Sequence, residues 1–349
     1  QRQKLDLQTV SATAMFGELA VQVGRDYAAF GQSWTGGLLM SDNAPPVDMI
    51  RVWNDQSWRL PLLSRLFGPI RGAAFVANLG AARQRHPHTR LIGYHVSGQP
   101  HPQFEIGVAV VDAMGGRGGQ PATFWERFLD VIPVVDALRT KSDFQFSNKL
   151  AGLDARWRMP RWAGFEMYAE VDADDFDNRD FSRGFLEDAG YLFGASISCF
   201  IRCGRVGLRA EYHQTGIRYY THIDYPMAAQ GWLLGDPLGP RGVGGYVTLD
   251  ADGGRVGRFA VQSAFEVRSG NRYRSAVTGG NDAGFHFELV EQRPGEKRSR
   301  VVGSWSGFDN RAIGVQLAVG AEHVTNFAFE QGASRTNWLG RISIVGRPR

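Results

Sequence analysis

From Lys149 to Met159 the chain alternates strictly: Leu153, Ala155, Trp157 and Met159 fall on one parity, Gly152, Asp154, Arg156 and Arg158 on the other. A period of two sends successive side chains to opposite faces of a strand, so one face is apolar and the other ionised. The next run repeats this, with Phe165, Met167, Ala169 and Val171 against Glu166, Tyr168, Glu170 and Asp172. Ala195, Ile197, Cys199 and Ile201 alternate with Ser196, Ser198, Phe200 and Arg202. After a short CGR link, which reads as a hairpin turn, Val206, Leu208, Ala210 and Tyr212 alternate with Arg205, Gly207, Arg209, Glu211 and His213. Phe259 to Arg268, Phe285 to Leu289 and Ile313 to Val319 obey the same rule.

A half-exposed sheet of a soluble sandwich also alternates, so a single strand decides little. Together the segments say more. Most are about ten residues long, carry both signs of charge on the polar face and have an aromatic residue near an end, as membrane barrel strands do. The expectation is an all-β fold, a transmembrane antiparallel β-barrel of about 14–18 strands, formed as one domain over residues 1–349.

Composition agrees. The chain holds 44 Gly, 22 Phe, 9 Trp and 10 Tyr and is 43% hydrophobic, yet its mean hydropathy is -0.27. No window approaches the roughly 18 uninterrupted apolar residues of a spanning helix, whereas a barrel strand needs only about 9–11 residues and shows every second one to lipid. The formal charge of +4 comes from 39 basic and 35 acidic residues dispersed along the chain, which gives no nucleic-acid footprint. Cys199 and Cys203 would stand about 13 Å apart on a continuous strand. They read as small strand residues, since a disulfide would need a turn between them.

Two stretches break the alternation. Between Pro121 and Lys141, Phe124, Phe128, Ile132, Val135 and Leu138 recur at helical spacing with Pro133 as a breaker; this short helical insert, about 121–141, must fold over the mouth or into the lumen, because it cannot span lipid. The stretch from about 214 to 243 reads as a long external loop. It carries Tyr219, Tyr220, His222, Asp224, Tyr225, Trp232 and Asp236, a mixture suited to carbohydrate: rings stack on the apolar faces of sugars and carboxylates accept hydroxyl hydrogens. The same rings could instead pack the loop against the rim.

Other chemistry is discounted. The acidic run Asp172, Asp174, Asp175, Asp177 and Asp180 has Phe176 where a third calcium ligand should stand and lacks the turn glycine. His86 and His88 in RHPHTR have no third ligand nearby, and GGRGG, Gly115 to Gly119, has no Lys-Ser or Lys-Thr pair after it. Glu166 and Glu170 could be imagined as a glycosidase pair, but they share one face of one strand. No enzyme, cofactor or metal is expected. The polar faces supply the lumen-lining set Arg156, Arg158, Glu166, Glu170, Arg209, Glu211, Glu266 and Arg268.

Three segments together suggest a family. SNKLAGLDARW, Ser147 to Trp157, resembles the Gly-Asn-Gln-x-Ala-Gly-Phe-Asp signature of Wzi-type capsule assembly proteins; Asn148, Gly152 and Asp154 match it, while Ser147, Lys149 and Leu153 replace its Gly, Gln and Phe. YTHIDYPMAAQGWLLGDPLGP is similar to that family's Tyr-x-His and Gly-x-Pro-Leu-Gly sequence at His222, Gly235, Pro237, Leu238 and Gly239. WTGGLLMSDNAPPVDMIRV resembles its Trp-Gly, Leu, Ser-Asn-Asn-Ala-x-Pro stretch. The family pattern has more sequence ahead of this point, so early elements are expected to be missing.

The resemblance implies an outer-membrane barrel that holds surface or capsular polysaccharide as a lectin and helps assemble or anchor it at the cell surface. The partners expected are polysaccharide or lipopolysaccharide and outer-membrane lipid, with no nucleic acid. The alternatives are a porin for sugars or other small solutes, or a structural subunit of a larger envelope assembly. If the inner charges satisfy one another the lumen is crowded; if they line water it conducts.

Overall fold

The computed structural model describes residues 8–82, 86–119, 147–174, 189–201, 205–222, 224–277, 285–307 and 313–346, with 121, 123, 125 and 127. Most of the expected helical insert, and Asp175, Asp177 and Asp180 of the acidic run, lie outside them. Among the described residues there are nineteen strands. The first eight are β1 (Val10–Phe16), β2 (Leu19–Asp26), β3 (Val47–Asn54), β4 (Ile70–Asn78), β5 (Arg90–His101), β6 (Phe104–Met114), β7 (Ser147–Met159) and β8 (Phe165–Asp174). There follow β9 (Ala189–Ile201), β10 (Val206–Thr215), β11 (Ala228–Ala229), β12 (Trp232–Leu233), β13 (Gly242–Asp252) and β14 (Arg258–Arg268). The last are β15 (Arg272–Val277), β16 (Phe285–Glu291), β17 (Glu296–Gly307), β18 (Ile313–Thr325) and β19 (Ser334–Gly346); one short helix, α1 (Leu63–Phe67), lies between β3 and β4.

Fifteen strands are hydrogen-bonded in chain order into one sheet, β1 to β10, then β13, β14, β17, β18 and β19; β11–β12 and β15–β16 are separate hairpins. Nearest-neighbour antiparallel order is what short turns between long strands produce. The sheet count falls inside the expected range. Cys199 is disulfide-bonded, which corrects the sequence reading: β9 ends at Ile201, two residues before the second cysteine, so the separation of a continuous strand does not apply.

Two compact units are distinguished. The first comprises Gln1–Met159, Glu166–Gly194 and Thr215–Gly239. Its burial is inverted relative to a soluble protein. Val23, Ile50, Val76, Val96, Leu153 and Met167 are exposed, while Asp112, Asn148, Asp154, Glu170, Asp172 and Asp174 are buried. Leaving side chains of that size in water would forfeit about 1.5–3 kcal/mol each, so this surface is built for a solvent of hydrocarbon. The apolar core of the unit lies on the opposite face and is made largely by loop residues, Phe30, Leu38, Leu39, Met40, Tyr219, Tyr220, Tyr225, Met227 and Leu234, packed on Phe75, Leu91 and Leu150 of the strands.

The second unit comprises Pro160–Phe165, Ala195–Gln214 and Pro240–Arg349. It shows the same inversion strand by strand: Val247, Leu249, Phe259, Val261, Phe265, Val301, Val319 and Ile342 are exposed, and Glu211, His213, Glu266 and Glu296 are buried. Tyr246 lies opposite Ala264 in the ladder and its hydroxyl donates to Glu266 Oε1 at 3.3 Å.

Candidate functional site

The site grows from two neighbouring strands of the first unit. On β7 the polar parity presents Asn148, Gly152 and Asp154; on β8 it presents Glu170, Asp172 and Asp174, all but the glycine being buried polar side chains. Gly152 has a steric reason to be glycine: a Cβ there would occupy the place of the Asp172 carboxylate. A row of buried carboxylates is costly unless donors reach it. The donors come from two inserted segments, 27–46 between β2 and β3 and 216–241 between β10 and β13.

The first segment is hooked by Glu170, whose carboxylate accepts the backbone N–H groups of Gln32, of Ser33 at 3.0 Å and of Leu38 at 3.4 Å. The Gln32 side-chain amide donates to Asp154 Oδ1, whose other oxygen stands 2.8 Å from His95 Nε2. Arg156 donates to the Gln32 carbonyl at 3.2 Å. Several backbone donors on one carboxylate are how a helix cap or an anion nest is satisfied, and charge-assisted bonds of this kind are the strong ones.

The second segment docks on the first. Ser41 N–H donates to the Leu234 carbonyl at 2.8 Å and Ser41 Oγ to the Gly235 carbonyl at 2.7 Å, while Asn43 Nδ2 reaches the Leu233 carbonyl at 2.9 Å. The Tyr220 hydroxyl donates to the Leu38 carbonyl and accepts the Asp236 N–H at 2.8 Å. Tyr220 N–H donates to Asp174 Oδ2 at 2.9 Å, and Asn148 Nδ2 holds the Tyr225 carbonyl at 2.9 Å. The Tyr219 and Tyr220 rings meet with centroids 4.2 Å apart. Burial above all, then the neighbouring phenol for Tyr219 and the Asp236 carboxylate for Tyr220, pushes both hydroxyls well above their ordinary range, so they stay neutral donors.

The structure therefore brings the three family-like segments into one assembly: Asn148, Gly152 and Asp154 face the WTGGLLMSDN segment and the long loop. It places the loop residues differently from a sugar platform. Tyr219, Tyr220, Tyr225 and Asp236 are buried and offer no face to a solvent-borne ligand: the rings pack in the core shared by the two segments, and the Asp236 carboxylate accepts the Leu238 N–H of its own loop at 2.8 Å. The loop folds in rather than out. His222 and Asp224 are half-buried, with His222 Nδ1 accepting the N–H groups of Asp224 at 3.2 Å and Tyr225 at 3.0 Å. Trp232, on the β11–β12 hairpin, is 57% exposed. His86 stacks on Tyr225 with centroids 5.0 Å apart.

The remaining charged residues are engaged on the polar face. Arg158 bonds Glu166 at 3.1 Å and lies 3.6 Å from Glu105; Arg156 lies 3.7 Å from Glu166 and 5.6 Å over the Tyr168 ring. In the second unit Arg209 lies 3.5 Å from Asp250, Glu211 lies 3.3 Å from His213 and Glu266 lies 3.9 Å from Arg300; Arg268 is half-buried at the end of β14. Sequence reasoning missed Gln32, Ser33 and His95, while Ser41 lies within the family-like segment that begins at Trp34. The trace of Gln32 and Ser33 was the motif that follows at Trp34, where a Gly-rich stretch between two strands is too long for a hairpin turn; His95, on β5, left none.

No curated protein matches the sequence. Among solved structures, one similar in fold is Wzi, an outer membrane protein involved in group 1 capsule assembly in Escherichia coli and a carbohydrate-binding β-barrel. The identity is 15% and the TM-score 0.68, and the likeness covers 96% of this chain and 67% of that one. OprD of Pseudomonas aeruginosa is also similar, at 7% identity and TM-score 0.51, covering 96% of this chain and 78% of that one. At such identities the likeness speaks for the fold alone, that of an outer-membrane β-barrel. A family model described as capsule assembly protein Wzi matches residues 1–339. With the three motifs assembled in one place and a family match over nearly its whole length, the chain belongs to the Wzi capsule assembly family.

Proposed function

We propose that the chain works in the outer membrane as a non-catalytic, lectin-like protein that binds surface or capsular polysaccharide and helps assemble or anchor it at the cell surface. Family membership supports the capsule role. The observation that carries the binding reading over a channel is the pair of inserted segments bonded to Asp154, Glu170 and Asp174 of the first unit: these three carboxylates are occupied by the chain's own donors, which favours neither a water path beside them nor their action on a glycosidic bond. Trp232 is the exposed aromatic of the long loop, with His222 and Asp224 beside it in sequence. It supplies the flat apolar surface that pyranose rings stack on, and the long-loop end of a barrel faces the outside.

The test is retention of purified, detergent-solubilised protein on immobilised surface polysaccharide of the source organism, against an unrelated neutral glycan. Selective retention, weakened about five- to tenfold or more by Trp232→Ala, is expected; the loss of one stacking contact is worth about 1–1.5 kcal/mol, or roughly tenfold. No retention by folded protein overturns the reading. Steady large openings in planar bilayers would favour the porin instead.

A further inference from the structure

The connection from β3 to β4 differs from other turns at its end of the sheet. The β1–β2 and β5–β6 turns there are Gly17–Glu18 and Pro102–Gln103, whereas this one runs from Asp55 to Pro69 and contains α1. It is not a loose loop. Trp58 and Ile70 exchange two backbone hydrogen bonds at 2.8 Å, Ser64 N–H donates to the Leu60 carbonyl at 2.9 Å, the Leu60 N–H returns to Ser64 Oγ at 2.8 Å, and Gln99 N–H donates to the Pro69 carbonyl at 3.1 Å.

Its side of the sheet can be read from the strand beneath. Val96 and Gly98 share a parity on β5; Val96 points into the exposed apolar face and is 45% exposed. Gly98 is covered instead, because α1 lies on it: a Cβ at Gly98 would stand 2.9 Å from the Phe67 Cβ. The segment is thus folded onto the lipid-facing surface and not into the interior. There it displays Leu62 at 76% and Leu66 at 72% exposure, with Leu60, Leu63, Phe67 and Trp58 also exposed. Arg59 and Arg65 are exposed around them, and no acidic residue occurs between Asp55 and Glu105.

We propose that Trp58–Phe67 is an interfacial foot that seats in the phospholipid leaflet on the short-turn side, which in outer-membrane barrels is the periplasmic side. Leucine and aromatic side chains enter the acyl boundary and the arginines meet lipid phosphates, the arrangement by which amphipathic segments lie in a membrane surface. Continuity with the lipid-facing strands, and two arginines with no carboxylate from Trp58 to Phe67, select a lipid surface over a protein partner. This is independent of what the long loop binds.

The experiment places a small environment-sensitive fluorophore on Leu66→Cys, labelled without reductant so that the native disulfide persists, in protein reconstituted into phospholipid vesicles and shown folded by heat-dependent gel mobility. Val96→Cys and Gln230→Cys serve as lipid-facing and loop controls. Lipid carrying a quencher near the headgroup is expected to dim the residue 66 label at least twofold, as it does at 96, with no effect at 230. Quenching at 66 by aqueous iodide without lipid quenching would identify a periplasmic protein-docking patch and overturn the proposal; insensitivity to both quenchers would place the helix against protein and overturn it equally.

Discussion

At the scale of single residues the energetics concentrate where buried charge meets backbone donors. Glu170 accepts three backbone N–H groups, so Glu170→Ala leaves two buried donors, of Gln32 and Leu38, and the half-buried one of Ser33 without this acceptor. The cost expected is about 3 kcal/mol or more, at about 1–3 kcal/mol per unsatisfied group with partial relaxation, read as a lowered guanidinium midpoint for the detergent-solubilised protein. Gly152→Ala tests a different term, sterics alone. Its Cβ cannot coexist with the present position of Asp172, so about 1–3 kcal/mol of destabilisation is expected, whereas Gly340→Ala, where nothing lies within 4 Å, should stay within about 0.5 kcal/mol. Equal effects at the two glycines would refute the packing account. Tyr219 and Tyr220 give a pH prediction. Their raised folded pKa values mean that the neutral phenol is favoured by the fold, so this stability is fully present below the unfolded tyrosine value of about 10 and is lost as pH rises beyond it. Tyrosinate absorbance should show these two rings ionising only together with alkaline unfolding, and Tyr219→Phe with Tyr220→Phe should remove that late step; ionisation near pH 10 in folded protein would contradict their burial.

At the scale of elements, the segment between β2 and β3 is closed by one local contact and turned inward by a distant one, the Glu170 carboxylate. Phe30 N–H bonds the Met40 carbonyl at 3.2 Å, closing a compact loop whose Gln32 and Leu38 amides point at one carboxylate. The long loop then fits over it through Ser41, Asn43 and Tyr220. Replacing residues 31–40 by a short Gly-Ser linker should leave the strands intact by circular dichroism and convert a silent protein into one with measurable single-channel conductance. An unchanged, silent trace would mean that other elements fill the interior.

For the whole molecule the decisive quantity is which face of each strand meets hydrocarbon. Val261 of the second unit and Ile50 of the first are both exposed on the apolar face. Arginine at such a position is expected to cost about 2–4 kcal/mol if it lies near the bilayer midplane and much less toward the boundary. Val261→Arg should therefore slow or reduce folding into vesicles, while the same substitution at exposed Gln230 of the long loop should not. If both insert alike, the apolar face is not a lipid face. Family membership joins this architecture to capsule assembly.

The alternation of Leu153, Trp157 and Met167 with Asp154 and Glu170 was enough, by itself, to determine strands, two unlike faces and an approximate strand number, because period-two patterning is a local property that pairing in chain order does not alter. The long loop near 214–243 was also legible, since it lacks that period. What the sequence could not supply was direction. Tyr219, Tyr220 and Tyr225 have the composition of a sugar platform, and only the packing of two segments distant in sequence decided that they are buried. Likewise the disulfide at Cys199 depended on where β9 stops, and the outward placement of α1 on a bare glycine of β5. The burial of the tyrosines and the seating of α1 are contacts between residues far apart in the chain, and the free energy that selects such contacts resides in desolvated pairs, such as Glu170 with the Gln32 amide, that come into being only once the sheet has formed.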